Sequence, residues 1–190
     1  MYTLFPLEDF KAFMGVDDRE DRTARFCLVT ASLTIEGYCK RRFLRKQFSE
    51  RIALDGALFA PLREYPVVSI RGLLLEAGGG GLLNAAPGSY RAVPGLDGEL
   101  DVPCGLELAR GFRGLKAVRA VYVAGYTRGG LPPGLGAACM ELAVWNLNRY
   151  RGRRVGMAGP TGGGNEGWGF ETSMPENVRS LLEPFKRKLI

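Results

Sequence analysis

Glycine placement constrains this chain more than any other feature. Of its 27 glycines, 24 fall between Gly72 and Gly169, and none follows. A glycine in a helix interior costs about 1 kcal/mol relative to alanine. The two ends of the chain therefore suit helices, and the middle suits short strands joined by turns. Over 190 residues this predicts an α+β fold. N- and C-terminal helices form a small helical bundle, with an all-β insertion, a small sandwich or a barrel, between them. The boundaries are 1–46 and 131–190 for the helical core, 47–130 for the β-rich insertion, and 152–169 for a Gly-rich flexible loop holding eight glycines.

Local patterns fill in the elements. Residues 6–14 read as a first helix, with Leu7, Phe10 and Phe13/Met14 at helical spacing and Gly15 as its stop. An acidic cluster at 17–21 suits a helix start. The second helix runs from there to about residue 40, with Phe26, Val29/Thr30, Leu33 and Gly37 as its apolar stripe. Runs at 48–54, 57–62, 67–75, 90–93, 100–102 and 117–123 are β-compatible and separated by turn residues, giving five to seven strands. A third helix opens at Pro132 or Pro133 and runs to about 150, with Leu135, Cys139, Leu142 and Trp145/Asn146 as its stripe. Ser173-Met174-Pro175-Glu176 has the form of a capping box that starts a last helix reaching about Lys188.

Several chemistries lose support. Histidine is absent, which removes the commonest general acid/base and every Ser-His or Cys-His pair. Cys27, Cys39, Cys104 and Cys139 form no CxxC pair, so zinc and thioredoxin-type motifs are not indicated. Cys27 and Cys39 share one helix about 18 Å apart, too far for a disulfide, and the four read as small buried hydrophobes. Gly159-Pro160-Thr161-Gly162-Gly163-Gly164 lacks the Lys-Ser/Thr pair of a phosphate loop. Glu99 and Asp101 share a strand face, but nothing completes an acid/base site. No enzyme, cofactor or metal is expected. No apolar run nears the ~20 residues of a membrane span, and Glu8 and Asp9 spoil a secretory leader, so a soluble cytoplasmic product is expected.

Charge is more informative. Basic residues number 26 against 20 acids, a net charge of +6, with arginine dominant. One cluster comprises Lys40, Arg41, Arg42, Arg45 and Lys46. A second holds Arg149, Arg151, Arg153 and Arg154, and the tail adds Lys186, Arg187 and Lys188. These are either solvated cations at helix ends or contacts to phosphate or acidic protein. No recognition-helix motif accompanies them. Phe185, Leu189 and Ile190 either pack on the helices or hook another subunit.

In order, these segments resemble the phage head–tail connector (adaptor, or head-completion) family. Leu7-Glu8-Asp9-Phe10-Lys11, the acids at 17–21 and Ile35-Glu36-Gly37-Tyr38-Cys39-Lys40-Arg41 look like its opening helix pair. Tyr65-Pro66-Val67-Val68-Ser69-Ile70 looks like its "YP-V-SI" strand. Tyr122-Val123-Ala124-Gly125-Tyr126 resembles its "Y-x-A-G-Y" strand end, and Met174-Pro175 through Leu181-Leu182-Glu183-Pro184-Phe185 its closing helix. The longer middle region, 72–114, is a departure.

The resemblance implies a non-enzymatic virion protein at the head–tail interface, assembled in the host bacterial cytoplasm. It implies a ring of about twelve subunits beneath the portal, which extends the DNA channel and offers a platform for a tail or stopper protein. Its partners would be itself, the portal, the tail or stopper protein, and passing double-stranded DNA without sequence specificity; no membrane is involved. Portal contact maps onto Pro184, Phe185, Lys186, Arg187, Lys188, Leu189 and Ile190. The channel or acidic-partner candidates are Lys40, Arg41, Arg42, Arg45, Lys46, Arg149, Arg151, Arg153 and Arg154. The alternative is a cytoplasmic accessory protein that binds nucleic acid non-specifically through its arginine clusters.

Overall fold

A computed structural model describes residues 2–54, 58–76, 82–93, 105–110, 115–152 and 174–187. The chain is α+β, with four α-helices and two antiparallel sheets among the described residues. It divides into two units: Met1–Cys39 with Leu131–Lys186, and Lys40–Gly130 with Arg187–Ile190.

The first unit is helical. Helix α1 (Leu7–Met14) ends at Gly15, whose φ of 58° closes the helix in the left-handed conformation. A 3₁₀ turn at Asp18–Glu20 follows, capped by the Asp17 carboxylate, which accepts the Arg19 and Glu20 backbone N–H groups. It leads into α2 (Asp21–Cys39). Helix α3 (Pro133–Arg151) starts with proline in its first turn, where the missing N–H is not needed. Helix α4 (Glu176–Leu182) runs into a 3₁₀ turn at Glu183–Phe185, so the last helix is shorter than expected. Its N-cap is Pro175 with no side-chain cap bond, and Ser173 lies outside the described residues. Helix α2 packs on α1 and α3, and α3 packs on α4.

One expectation inverts. The buried side of α2 is Ala24, Cys27, Leu28, Ala31, Ser32, Ile35, Glu36 and Cys39. Phe26 and Leu33, the expected core stripe, are 54% and 50% exposed. The helix carries apolar residues on two faces, and the one made of smaller side chains lets α3 approach closely. On α3 the expected stripe holds through Leu135, Cys139 and Leu142, and then closes on Leu147 rather than on Trp145 or Asn146.

The second unit is the β-rich one. Its strands are β1 (Lys46–Ala53), β2 (Phe59–Pro61), β3 (Val67–Glu76), β4 (Leu82–Asn84), β5 (Tyr90–Val93), β6 (Gly105–Leu108) and β7 (Ala117–Ala124). One sheet runs β1-β7-β3-β4 and the other β2-β6-β5, both antiparallel. The unit is therefore not a closed barrel. Inward residues from both sheets share one core: Ile52, Leu73, Val118, Ala120 and Tyr122 from the first, and Ala60, Leu106 and Leu108 from the second.

Strands β4 and β6 have no counterpart among the sequence-derived runs, and the expected run at 100–102 lies outside the described residues. Strand β6 opens on a glycine for a steric reason. A Cβ at Gly105 would sit 2.2 Å from the Phe59 ring and 2.9 Å from the Ala60 carbonyl oxygen. Gly125 closes β7 with φ of 101° and backbone too near Phe43 and Leu44 for a side chain. Of the expected 152–169 loop only Gly152 is described, as the C-cap of α3.

Candidate interaction surfaces

Along the first basic cluster, exposure separates residues of the same charge. Lys40 follows α2 in a left-handed conformation (φ 54°) and is exposed, as are Arg42, Arg45 and Lys46. The Lys46 ammonium lies 5.0 Å from the Phe48 ring centroid. Arg41 is a correction. It is 2% exposed, its guanidinium stacks 3.6 Å from the Tyr65 ring centroid and 4.9 Å from that of Phe43, and it donates to the Tyr65 carbonyl. Arg41 thus holds the β unit together and presents no cation to a partner. Sequence alone gives its charge and not its aromatic cage.

In the second cluster Arg149 lies 4.2 Å from the Trp145 ring centroid. Arg151 donates to both carboxylate oxygens of Glu20, with Nε at 3.0 Å. That fork holds the Glu20 carboxyl below the usual carboxylate range and raises the arginine, so much of this cation is neutralised within the helical unit. Arg153 and Arg154 lie outside the described residues.

The tail is engaged where it is described. Phe185 is half-buried, its ring lying over Gly134, and Pro184 is exposed. Lys186 pairs with Glu183 at 2.7 Å and lies 4.4 Å from the Tyr38 ring centroid. Hydrogen bonds to Glu183 and Tyr38 push its pKa up to about 12. Arg187 donates to Glu64 at 2.9 Å. Lys188, Leu189 and Ile190 lie outside the described residues.

Glu64 belongs to a network that the sequence reading did not single out. Its carboxylate accepts the Arg42 backbone N–H at 2.8 Å, and its own N–H donates to the Tyr122 hydroxyl at 3.1 Å. That hydroxyl in turn donates to Glu50 at 3.1 Å. Burial raises the Glu64 carboxyl above the usual range, with Arg42, Arg187 and Arg41 acting against it, and burial beside Glu50 raises the Tyr122 phenol strongly. Tyr122 stands in the motif quoted for its chain pattern, so its polar partners left no separate signal.

Cys27, Cys39 and Cys139 are buried free thiols, as expected, and burial pushes Cys27 and Cys139 up to about 11. Cys104 lies outside the described residues. Among the described residues no group of three or more Cys, Asp or Glu is placed to hold a metal, and no helix is long and apolar enough to cross a membrane.

The helical unit also carries exposed apolar surface. Phe13 is 65% exposed on α1, and Phe26 and Leu33 lie outward on α2. The Phe26 ring meets Tyr150 of α3 edge-on at 5.9 Å.

No protein-family model and no curated protein matches the chain. Solved structures do. At 20% identity, with 98% of this chain and 91% of the other covered, it superposes on a chain of the neck of an empty gene transfer agent (GTA) particle, computed with C6 symmetry, at a TM-score of 0.65. The same identity and coverage hold for a chain of the virion of a native GTA particle (TM-score 0.66). They hold again for the neck of a native GTA particle computed with C12 symmetry (TM-score 0.59). The chain has the fold of GTA neck chains.

Proposed function

We propose that this chain is a structural virion protein of a phage-like head–tail neck, a connector that assembles into a ring beneath the portal. The observation that carries this reading is the match to GTA neck chains over 98% of this chain and 91% of theirs. The match takes in nearly the whole of both chains, which is what a counterpart in a neck of the same build would give. The ordered motifs from Leu7 to Phe185 point the same way.

In this reading the ring has about twelve subunits, extends the DNA channel and offers a platform to a tail or stopper protein. Lys40, Arg42, Arg45 and Lys46, all exposed, are cations that would face passing DNA or an acidic partner. The portal contact in this reading is drawn from residues 184–190, within which Phe185, Lys186 and Arg187 also hold partners in the chain itself. The protein acts by position and carries no catalytic step.

Deleting the gene from a particle-producing genome tests this. Filled heads and free tails should accumulate unjoined, and expression of the chain in trans should rejoin them. Normally tailed particles without the chain would overturn the proposal.

A further inference from the structure

Helix α2 is apolar on two faces, and the helical unit uses one. On the unused side Phe26 and Leu33 are two turns apart and half or more exposed, with Val29 and Thr30 half-buried between them. Gly37 continues the line one turn further, exposed, with nothing within 4 Å of where its Cβ would be. A glycine inside an exposed helix costs about 1 kcal/mol against alanine. Nothing within the described residues calls for one there, whereas a closely approaching neighbour would. Through the Phe26–Tyr150 contact the patch reaches onto α3. Exposed apolar side chains on soluble monomers are normally scattered singly, and an aligned set marks a docking face.

The charges around this face name its occupant. Arg22, one turn before Phe26, is exposed beside the apolar line. On α1 the sign reverses: Phe13 is 65% exposed, with exposed Asp9 one turn before it on the same face. A cation-flanked apolar face and an acid-flanked apolar face on one chain are complementary between copies. We propose that the outer face of α2, centred on Phe26, Leu33 and Gly37, is the subunit contact of the ring and receives the α1 surface around Phe13 of the next copy. Two different surfaces in contact make a heterologous interface, which closes into a ring under repeated rotation. This inference rests on the ring reading above.

The test is a full-length Phe13→Cys/Leu33→Cys variant, oxidised and run on a denaturing gel, with native mass spectrometry of the same sample. The expected result is a closed ring by mass and a covalent ladder up to the full ring, absent from either single variant. A ring without a ladder overturns this contact and leaves the ring reading intact. Absence of any ring from the unsubstituted chain, even with portal protein present, overturns both. The charge pair gives a second readout: Arg22→Glu should weaken assembly at least tenfold, and adding Asp9→Arg should restore it. An Arg22→Glu protein that assembles like the wild type would also overturn the contact.

Discussion

In the helical unit three of the four exposed large apolar side chains among the described residues line up: Phe26 and Leu33 lie on one face of α2, and Tyr150 rests on Phe26. In the β unit Phe59, Val68 and Leu83 are exposed on three different strands. The β unit gathers its strong apolar positions between two sheets and leaves scattered remainders. The helical unit buries one side of α2 and keeps a second ordered side outward. Amount of exposed apolar surface therefore says less than its arrangement. The aligned surface is the one suited to a partner.

The largest effects should separate the two faces of the helical unit. Leu142→Ala empties a buried site on α3 and should cost about 2–5 kcal/mol in urea unfolding. Leu33→Glu, which sets a charge on the outer face, should stay within about 0.5 kcal/mol while impairing assembly. Equal costs would break the distinction between inner and outer face.

A smaller effect should mark the β unit. Tyr122→Phe removes the acceptor for the Glu64 N–H and the donor to Glu50. It should cost about 1–3 kcal/mol, read as a lowered urea midpoint. A neutral Tyr122→Phe would mean that the network is not part of what fixes the segment at Glu64 to the β1–β7 sheet.

The smallest effects are pH-dependent and run in opposite directions in the two units. Glu20 is held below its ordinary value of 4.5 by Arg151. Its contribution is thus complete above that value and lost as pH falls through the lower folded one. Glu64 is raised above 4.5 by burial, so its contribution is complete below that value and lost as pH rises through the raised one. Urea midpoints between about pH 3 and about pH 7 should show Glu20→Gln flattening the acid-side loss. Glu64→Gln should flatten the change on the other side. Parallel profiles for both variants would contradict these assignments.

Much of the fold was legible because local chemistry decided it. Gly15 ends α1 in a left-handed conformation that glycine adopts freely, Pro133 opens α3, and the β-branched runs of β3 and β7 form strands. What stayed hidden depends on distant partners. Either side of α2 could have faced inward by periodicity, and the choice was made by packing on α3. Strand β6 opens on a glycine because the Phe59 ring crosses there. Arg41 is buried by Tyr65 and Phe43, and Arg151 is neutralised by Glu20, 131 residues away in the chain. Charge can be counted from sequence, whereas exposure of that charge cannot.

The most direct test of the connector reading is native mass spectrometry of the purified chain across concentration and salt. The account predicts a closed species near twelve subunits that grows with concentration at the expense of monomer. A chain that remains monomeric throughout, even with portal protein present, would contradict it.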